Sequence, residues 1–313
     1  MPPLPKLIAI IGPTASGKTK LAINLANKFN AEIISADSRQ IYKVMNIGTN
    51  KNLAEYKNIP YHLINIKKPN EQFTLAEYQK IAIKKINAVI KKNKIPLLVG
   101  GTGLYISSIL ENYQIPTITP NKKIRQQLDK MTLAQKINKL KKLDPVSLNI
   151  VDLKNPRRLD RALEVCLTGQ KFSALRQKNK PLYQTLILGI KTNKAKLTKK
   201  INQRVDLMLK QGLIDETKKI IKKYGKNSQP LSTIGYAEII NYLNKPSTTF
   251  SSYKKSKVVL GKKTTLKEAA ELIKTHTRQY VKRQMTWFNK IQNINWINTP
   301  TQASKLIQDF LKK

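Results

Sequence analysis

The chain has 313 residues, with 59 Lys or Arg against 18 Asp or Glu, a formal net charge of +41 and a single cysteine. That length suits one large core or a main domain with an insertion, and Cys166 alone excludes an internal disulfide framework and any multi-cysteine zinc site; it reads as a small core residue of a cytoplasmic protein. No run approaches ~18 uninterrupted apolar residues, so neither a membrane span nor a signal segment is expected, and the surplus charge attracts polyanions, although AT-biased codon usage alone would also produce a chain rich in Lys, Asn and Ile.

In chain order, "KLIAII" reads as a strand, a helix starts at Lys18, and "AEIISA" and "YHLINI" read as further strands. A long helix begins at "TLAE", where Thr74 and Glu77 have capping-box spacing, and apolar positions recur at three and four through "YQKIAIKKINAVI" before the strand "IPLLVGG". Strands bounded by helices imply parallel crossovers, hence an α/β fold: a doubly wound, mostly parallel sheet flanked by helices, with ligands at the strands' carboxyl ends. From 116 to 183 the pattern has helical periods, heavy lysine content ("KINKLKKL") and breaks at "DP" and "NP", and reads as a helical insertion domain; residues 1–115 and 184–313 then form the core. "LYQTLILGI" returns to the sheet, followed by helices at about 194–211 and 213–224, the loop "SQPLSTIGY", a polar stretch around "NKPSTTFSSYKKSK", and a last long helix from about 265.

Between the first strand and the first helix, Gly12, Gly17, Lys18 and Thr19 satisfy G-x-x-x-x-G-K-[ST], a P-loop in its required setting. Its backbone, Gly12-Pro13-Thr14-Ala15-Ser16-Gly17, curls so that successive N–H groups converge on oxyanions, while Lys18 supplies a point charge and Thr19 a hydroxyl for Mg²⁺. A diphosphate ligand follows. A nucleotide hydrolase would also place a carboxylate at a neighbouring strand end, but "PLLVGG" ends in glycines and "YHLINI" is followed by Lys67 and Lys68. The acid at a strand's carboxyl end is Asp37, which suits a base acting on a second substrate, a magnesium ligand or a cap on the following turn.

"GPTASGKT", "ADSRQIYKVMNIGT", "IPLLVGGTGLYISSIL", "NPRRLDRALEVCLTG", "IGYAEI" and "TRQYVKRQMTWF" occur in the order and spacing of the tRNA dimethylallyltransferase family, also called tRNA isopentenyltransferases, and the resemblance runs from about residue 7 to 290. It implies transfer of a dimethylallyl group from dimethylallyl diphosphate to N6 of the adenosine 3′ to the anticodon, with Mg²⁺ as cofactor and the tRNA anticodon stem-loop as partner. Asp37, Lys18 and Thr19 then become the catalytic set, with Asp37 as the base. The resemblance further implies RNA contacts from Asp37, Ser38, Arg39, Gln40 and Thr102, from Arg125 and the run Arg157, Arg158, Leu159, Asp160 and Arg161, from Gly235 and Tyr236, and from Arg278, Lys282, Arg283 and Gln284. Val281, Met285 and Phe288 read as the buried stripe of that last helix.

Tyr61 and Asn65 stand where the family often has His and Asp, and Ser232 where it often has Gln or Arg. No cysteine–histidine finger follows the last motif, so the resemblance is to the bacterial type, with a monomer as the expected unit; His62 and His276 read as structural. The rival readings are an adenylate isopentenyltransferase acting on free AMP, ADP or ATP, a small-molecule P-loop kinase, and an RNA-binding protein without catalysis. The helical insertion and basic last helix disfavour the first, and the intact Lys18, Thr19 and Asp37 disfavour the last.

Overall fold

Short apolar runs become the strands of one sheet because both of its faces are covered. The computed structural model describes residues 3–115, 118, 121–174, 179–244 and 264–313. The strands are β1 (Lys6–Ile11), β2 (Ala31–Ala36), β3 (Tyr61–His62), β4 (Ile95–Gly100), β5 (Gln184–Ile190) and β6 (Ile294–Ile297). They lie in the order β3-β2-β4-β1-β5-β6, and every pair is parallel. Apart from Lys6, β1 is wholly buried, as expected of a parallel strand buried on both sides. Alternation sorts its side chains: Ile8 and Ile10 enter one core cluster, and Leu7, Ala9 and Ile11 the other. Each fully buried Leu or Ile contributes about 1.5–3 kcal/mol relative to exposure.

The first core cluster is covered by α1 (Lys18–Lys28) and α11 (Pro300–Lys312). The second is covered by α2 (Leu75–Lys91), α3 (Gly103–Leu110) and Phe288 of α10 (Leu266–Phe288). At the start of α2 both halves of the capping box form: Glu77 N donates to Thr74 Oγ1 at 3.2 Å and Thr74 N to Glu77 Oε2 at 2.8 Å. Within the insertion segment, α4 (Lys122–Asp129), α5 (Leu133–Leu143) and α6 (Pro156–Cys166) close around their own cluster of Leu128, Leu140, Leu159, Leu163 and Cys166. A further cluster joins α7 (Lys194–Lys210), α8 (Leu213–Tyr224), α9 (Tyr236–Leu243) and Ile273 of α10 to Ile41, Tyr42 and Met45, the chain just beyond β2.

Register sets the site. Ile11 pairs with Gly100, and Gly100 with Ala36, so β1, β4 and β2 end level and side by side. Whatever follows those residues meets at one edge of the sheet, the position where open α/β sheets bind ligands.

Three elements differ from the sequence reading. "YHLINI" is a strand only at Tyr61–His62, because Leu63 (φ 65°) and Asn65 (φ 56°) leave the extended region. The chain does not end in one long helix: after α10 it adds β6 at the sheet edge, then α11, with Thr299 capping Gln302 N and Pro300 in the first turn. The "GY" loop leads directly into α9. Most of the polar stretch around "NKPSTTFSSYKKSK" lies outside the described residues. No helix among the described residues is long and apolar enough to cross a membrane.

Candidate active site

The phosphate loop joins β1 to α1 through a curl with Ala15 at φ 63° and Gly17 at φ 91°. Gly17 has open space around it, so its backbone conformation, and not crowding, calls for glycine there. Lys18 folds back, donating from Nζ to Pro13 O at 2.6 Å. Burial lowers the Lys18 ammonium to about 8; Asp37 pulls it back up and Arg204 pushes it further down. The Ser16 hydroxyl is buried with no hydrogen-bond partner among the described residues. A loop that holds the Lys18 and Arg204 cations and leaves a buried hydroxyl unsatisfied is arranged for an incoming oxyanion.

Two helices support this loop from behind. Ala15 packs on Leu197 and Ile201 of α7 and on Val281 of α10. Arg204, also on α7, donates from Nη1 to Thr14 Oγ1 at 3.1 Å, and burial holds its pKa below the ordinary arginine value. Sequence reasoning did not single out Arg204, yet a signal existed. It stands three residues after Ile201 and four before Met208, an arginine within a buried stripe, where such a residue needs a reason.

At the end of β2, Asp37 uses Oδ1 to accept from the N–H groups of Arg39 (2.9 Å) and Gln40 (3.4 Å). Among the described residues Oδ2 accepts no hydrogen bond. The carboxylate therefore caps the following turn and keeps one oxygen for another partner. Its negative charge favours the cationic forms of Lys18, Lys51 and Arg204 and opposes ionisation of Tyr56, Tyr78, Tyr105 and Tyr280. Thr102, after β4, accepts from Ser38 N at 3.0 Å and donates to Ser38 Oγ at 3.3 Å. Tyr280 of α10 hydrogen-bonds Thr102, and burial, then Asp37, raises its phenol above the ordinary tyrosine value. Tyr280 lies in the "TRQYVKRQ" motif but was not singled out by sequence.

The glycines of "GGTG" make room for protein neighbours. A Cβ on Gly100 would stand 2.2 Å from Ala36 O, one on Gly101 2.5 Å from Gln284 Nε2, and one on Gly103 2.4 Å from the Trp287 ring. The Trp287 indole N–H in turn donates to Ser107 Oγ at 3.0 Å. Gly100 thus lets β2 and β4 approach closely, while Gly101 and Gly103 let α10 dock on the β4–α3 loop.

Other sequence-predicted residues fall into different environments. Gln284, expected at the RNA surface, is buried, with both ends of its amide engaged inside the protein. Leu159 is fully buried in the insertion cluster, and Tyr236 is fully buried with its hydroxyl donating to Glu216 at 2.7 Å, so neither presents a side chain outward. Asp160 pairs with Lys136 at 2.6 Å. Arg125 and Arg161 both grip the buried Glu164, through Nε at 3.0 Å and Nη1 at 2.7 Å, and the two guanidinium groups hold that carboxyl below its ordinary range despite burial. Arg157 and Arg158 are exposed at the start of α6. Gly235, at φ 99°, donates its N–H to Glu238 at 2.7 Å and opens α9. Arg278 is tied to Asn202 at 3.1 Å, while Lys282 and Arg283 are exposed. In α10 Phe288 is fully buried, with Val281 and Met285 half-buried. Ser232 donates to Gln229 O at 2.8 Å within its own turn. His62 pairs with the buried Glu32, and His276 with Glu238, which gives both histidines a structural role.

A family model described as IPP transferase matches residues 40–291. Similar curated proteins named tRNA dimethylallyltransferase include that of Halothermothrix orenii, 42% identical over 98% of this chain and 92% of that protein. That of Acetivibrio thermocellus is 41% identical over 93% of this chain and 91% of its own. Among solved structures, the full-length tRNA isopentenylpyrophosphate transferase of Bacillus halodurans superposes with a TM-score of 0.69 at 34% identity, covering 98% of this chain and 95% of that one. A eukaryotic dimethylallyltransferase acting on tRNA superposes with a TM-score of 0.81 at 28% identity, covering 98% and 80%. A phosphate loop faced by a lone strand-end carboxylate, a family match over most of the chain and near-full-length relatives agree: the chain belongs to the IPP transferase family.

Proposed function

We propose that this chain transfers the dimethylallyl group of dimethylallyl diphosphate to N6 of the adenosine 3′-adjacent to the anticodon in tRNA, releasing diphosphate. The observation that carries the reading is the pairing of a phosphate loop holding Lys18 and Arg204 with Asp37, whose Oδ2 is unengaged among the described residues, at the level ends of β1 and β2, the two strands that flank β4. When the donor's carbon–oxygen bond breaks, positive charge builds on the allylic carbon and negative charge on the departing diphosphate. The first amides of α1, Lys18 and Arg204 stabilise that developing anion, each such donor being worth about 3–4 kcal/mol. The bond from N6 to the allylic carbon forms as the old one breaks, and the N6 proton passes to Asp37 Oδ2. A base so placed contributes roughly 10²- to 10⁴-fold.

The donor set fits Mg²⁺ only as a diphosphate-bound ion. Among the described residues no cluster of three or more His, Cys, Asp or Glu could hold a metal, but Thr19 offers a hydroxyl at the start of α1 and the orphaned Ser16 hydroxyl lies in the same loop. When bound, the ion neutralises charge on the leaving diphosphate.

Adenine must leave the anticodon stack, at a cost of a few kcal/mol, and RNA-backbone contacts offset that cost. Arg157 and Arg158 on α6 and Lys282 and Arg283 on α10 are exposed cations of the predicted set, as is Arg125, which also holds Glu164, and we assign the first four to the anticodon arm together with the 116–183 insertion. Ser38, Arg39, Gln40 and Thr102 surround the base. A tRNA substrate assigns the activity to the cytoplasm.

Radiolabelled dimethylallyl diphosphate incubated in parallel with tRNA, free AMP and ATP tests the proposal. Label should appear in tRNA alone. Label in free nucleotide, or phosphoryl transfer from ATP without prenylation, would overturn it.

A further inference from the structure

Gln284 has only 5% of its surface exposed, on the face of α10 that meets the sheet ends. Its Oε1 accepts from Thr14 N at 2.9 Å, and its Nε2 donates to Gly101 O at 2.8 Å. One neutral amide thus joins the peptide at the middle of the phosphate loop to the peptide beside Thr102. A carboxylate could not donate to Gly101 O and would bring negative charge into a site that collects anions. A lysine could not accept from Thr14 N.

Two features show that this bridge has fixed geometry. Gly101 lacks the Cβ that would collide with Gln284 Nε2, so the two positions are complementary. Thr14 accepts from Arg204 at its hydroxyl and donates its N–H to Gln284, so side chain and backbone are fixed from two different helices. The Thr14 N–H is consumed by this contact, and the Ser16 N–H by Pro13 O at 3.3 Å. Binding of the diphosphate falls to the amides further along the loop and at the start of α1, whose direction depends on how the Thr14 peptide is held.

We infer that Gln284 is a positioning residue that sets the phosphate loop relative to the acceptor-side loop, and so the alignment of diphosphate with the receiving amine. The inference rests on the proposed function for the identity of the reaction but not for the anion site. Alignment of two bound reactants acts on turnover as well as on donor binding.

The test uses the full chain with Gln284→Met, similar in volume but unable to bridge, together with Gln284→Ala, Gly101→Ala and the Gln284→Ala/Gly101→Ala double variant. Calorimetry with inorganic pyrophosphate, donor kcat and KM, and tRNA affinity are measured for each. Gln284→Met should bind pyrophosphate at least tenfold more weakly and lose tenfold or more in kcat/KM for donor, with tRNA affinity within twofold of the parent, which also reports that α10 remains docked. Gly101→Ala should reproduce this loss in the parent background but have little further effect once Gln284 is alanine. Unchanged pyrophosphate affinity in Gln284→Met, equal loss of tRNA and pyrophosphate binding, or an additive double variant would each overturn the inference. A parent that binds pyrophosphate but prenylates no tRNA would overturn the proposed function and leave the positioning role standing.

Discussion

Glu216 on α8 offers the sharpest quantitative prediction. Its Oε2 accepts from Asn46 N (2.8 Å) and Ile47 N (2.9 Å), and its Oε1 from Gly48 N (3.0 Å) and the Tyr236 hydroxyl (2.7 Å). One carboxylate therefore fastens the segment that continues from Asp37 through Tyr42 to Lys51. Gly48 fits there only without a side chain, because a Cβ would lie 2.5 Å from the Tyr236 ring. Glu216→Gln preserves shape but replaces one oxygen with NH₂, and whichever way the amide turns, that group faces two donors. The better orientation keeps oxygen toward the buried Tyr236 and gives up the bonds from Asn46 and Ile47. Hydrogen bonds to a charged acceptor are worth about 1.5–3 kcal/mol each; with partial exposure at Asn46, losing two comes to about 3 kcal/mol. Urea unfolding monitored by circular dichroism measures that loss, and steady-state kinetics should show a raised KM for tRNA with the donor KM unchanged. A variant within 0.5 kcal/mol of the parent, taken as about the noise of a surface substitution, would refute the assignment of loop anchoring to Glu216.

Asp37→Asn should lose roughly 10²- to 10⁴-fold in kcat while keeping tRNA affinity, measured by filter binding, and parent-like turnover would remove Asp37 as the base. Arg204→Lys should lower donor kcat/KM, because the shorter, strongly hydrated ammonium does not reproduce the guanidinium's Nη1 contact with Thr14; full activity in that variant would reduce Arg204 to a point charge. Lys51 is buried, donating to Tyr42 O at 2.6 Å and to Asn65 Oδ1, and burial lowers its pKa to about 8, with Glu216 and Asp37 opposing the shift. Between pH 8 and 10 the unfolded state holds the proton more firmly, so Lys51 destabilises the fold most below pH 8, and its contribution improves as pH rises. The stability of the parent should gain on Lys51→Met across that window, by an amount on the order of 2–3 kcal/mol, and parallel pH–stability curves would exclude the buried cation as the source.

The sequence signals that read correctly are local. β1, the phosphate loop and α1 follow one another within 23 residues, and Thr74 and Glu77 are three apart, so periodicity and spacing suffice. β6 is four residues at a sheet edge, too short for alternation to stand out, although Thr299 and Pro300 did mark the next helix. The site was half legible for the same reason. Asp37 and the loop lie at strand ends, but Gln284 meets Thr14 across 270 positions and Glu216 meets Ile47 across 169, and no local pattern reports such partners. Gln284 and Tyr236 sit in recognisable motifs, and motif membership alone pointed to surface contacts. Their burial shows that a motif also records what a site needs for support.

The phosphate loop leaves the ribosome well before the residues that brace it, which belong to α7 and α10, the second of which begins at Leu266. Until α7 and α10 have both emerged, the nascent chain carries the loop without the full set of Arg204 and Gln284 contacts that give it shape. Competence to capture the isoprenoid donor therefore arises late in biosynthesis, and a chain cut short before the last long helix would keep the recognisable motif while lacking a formed anion cradle.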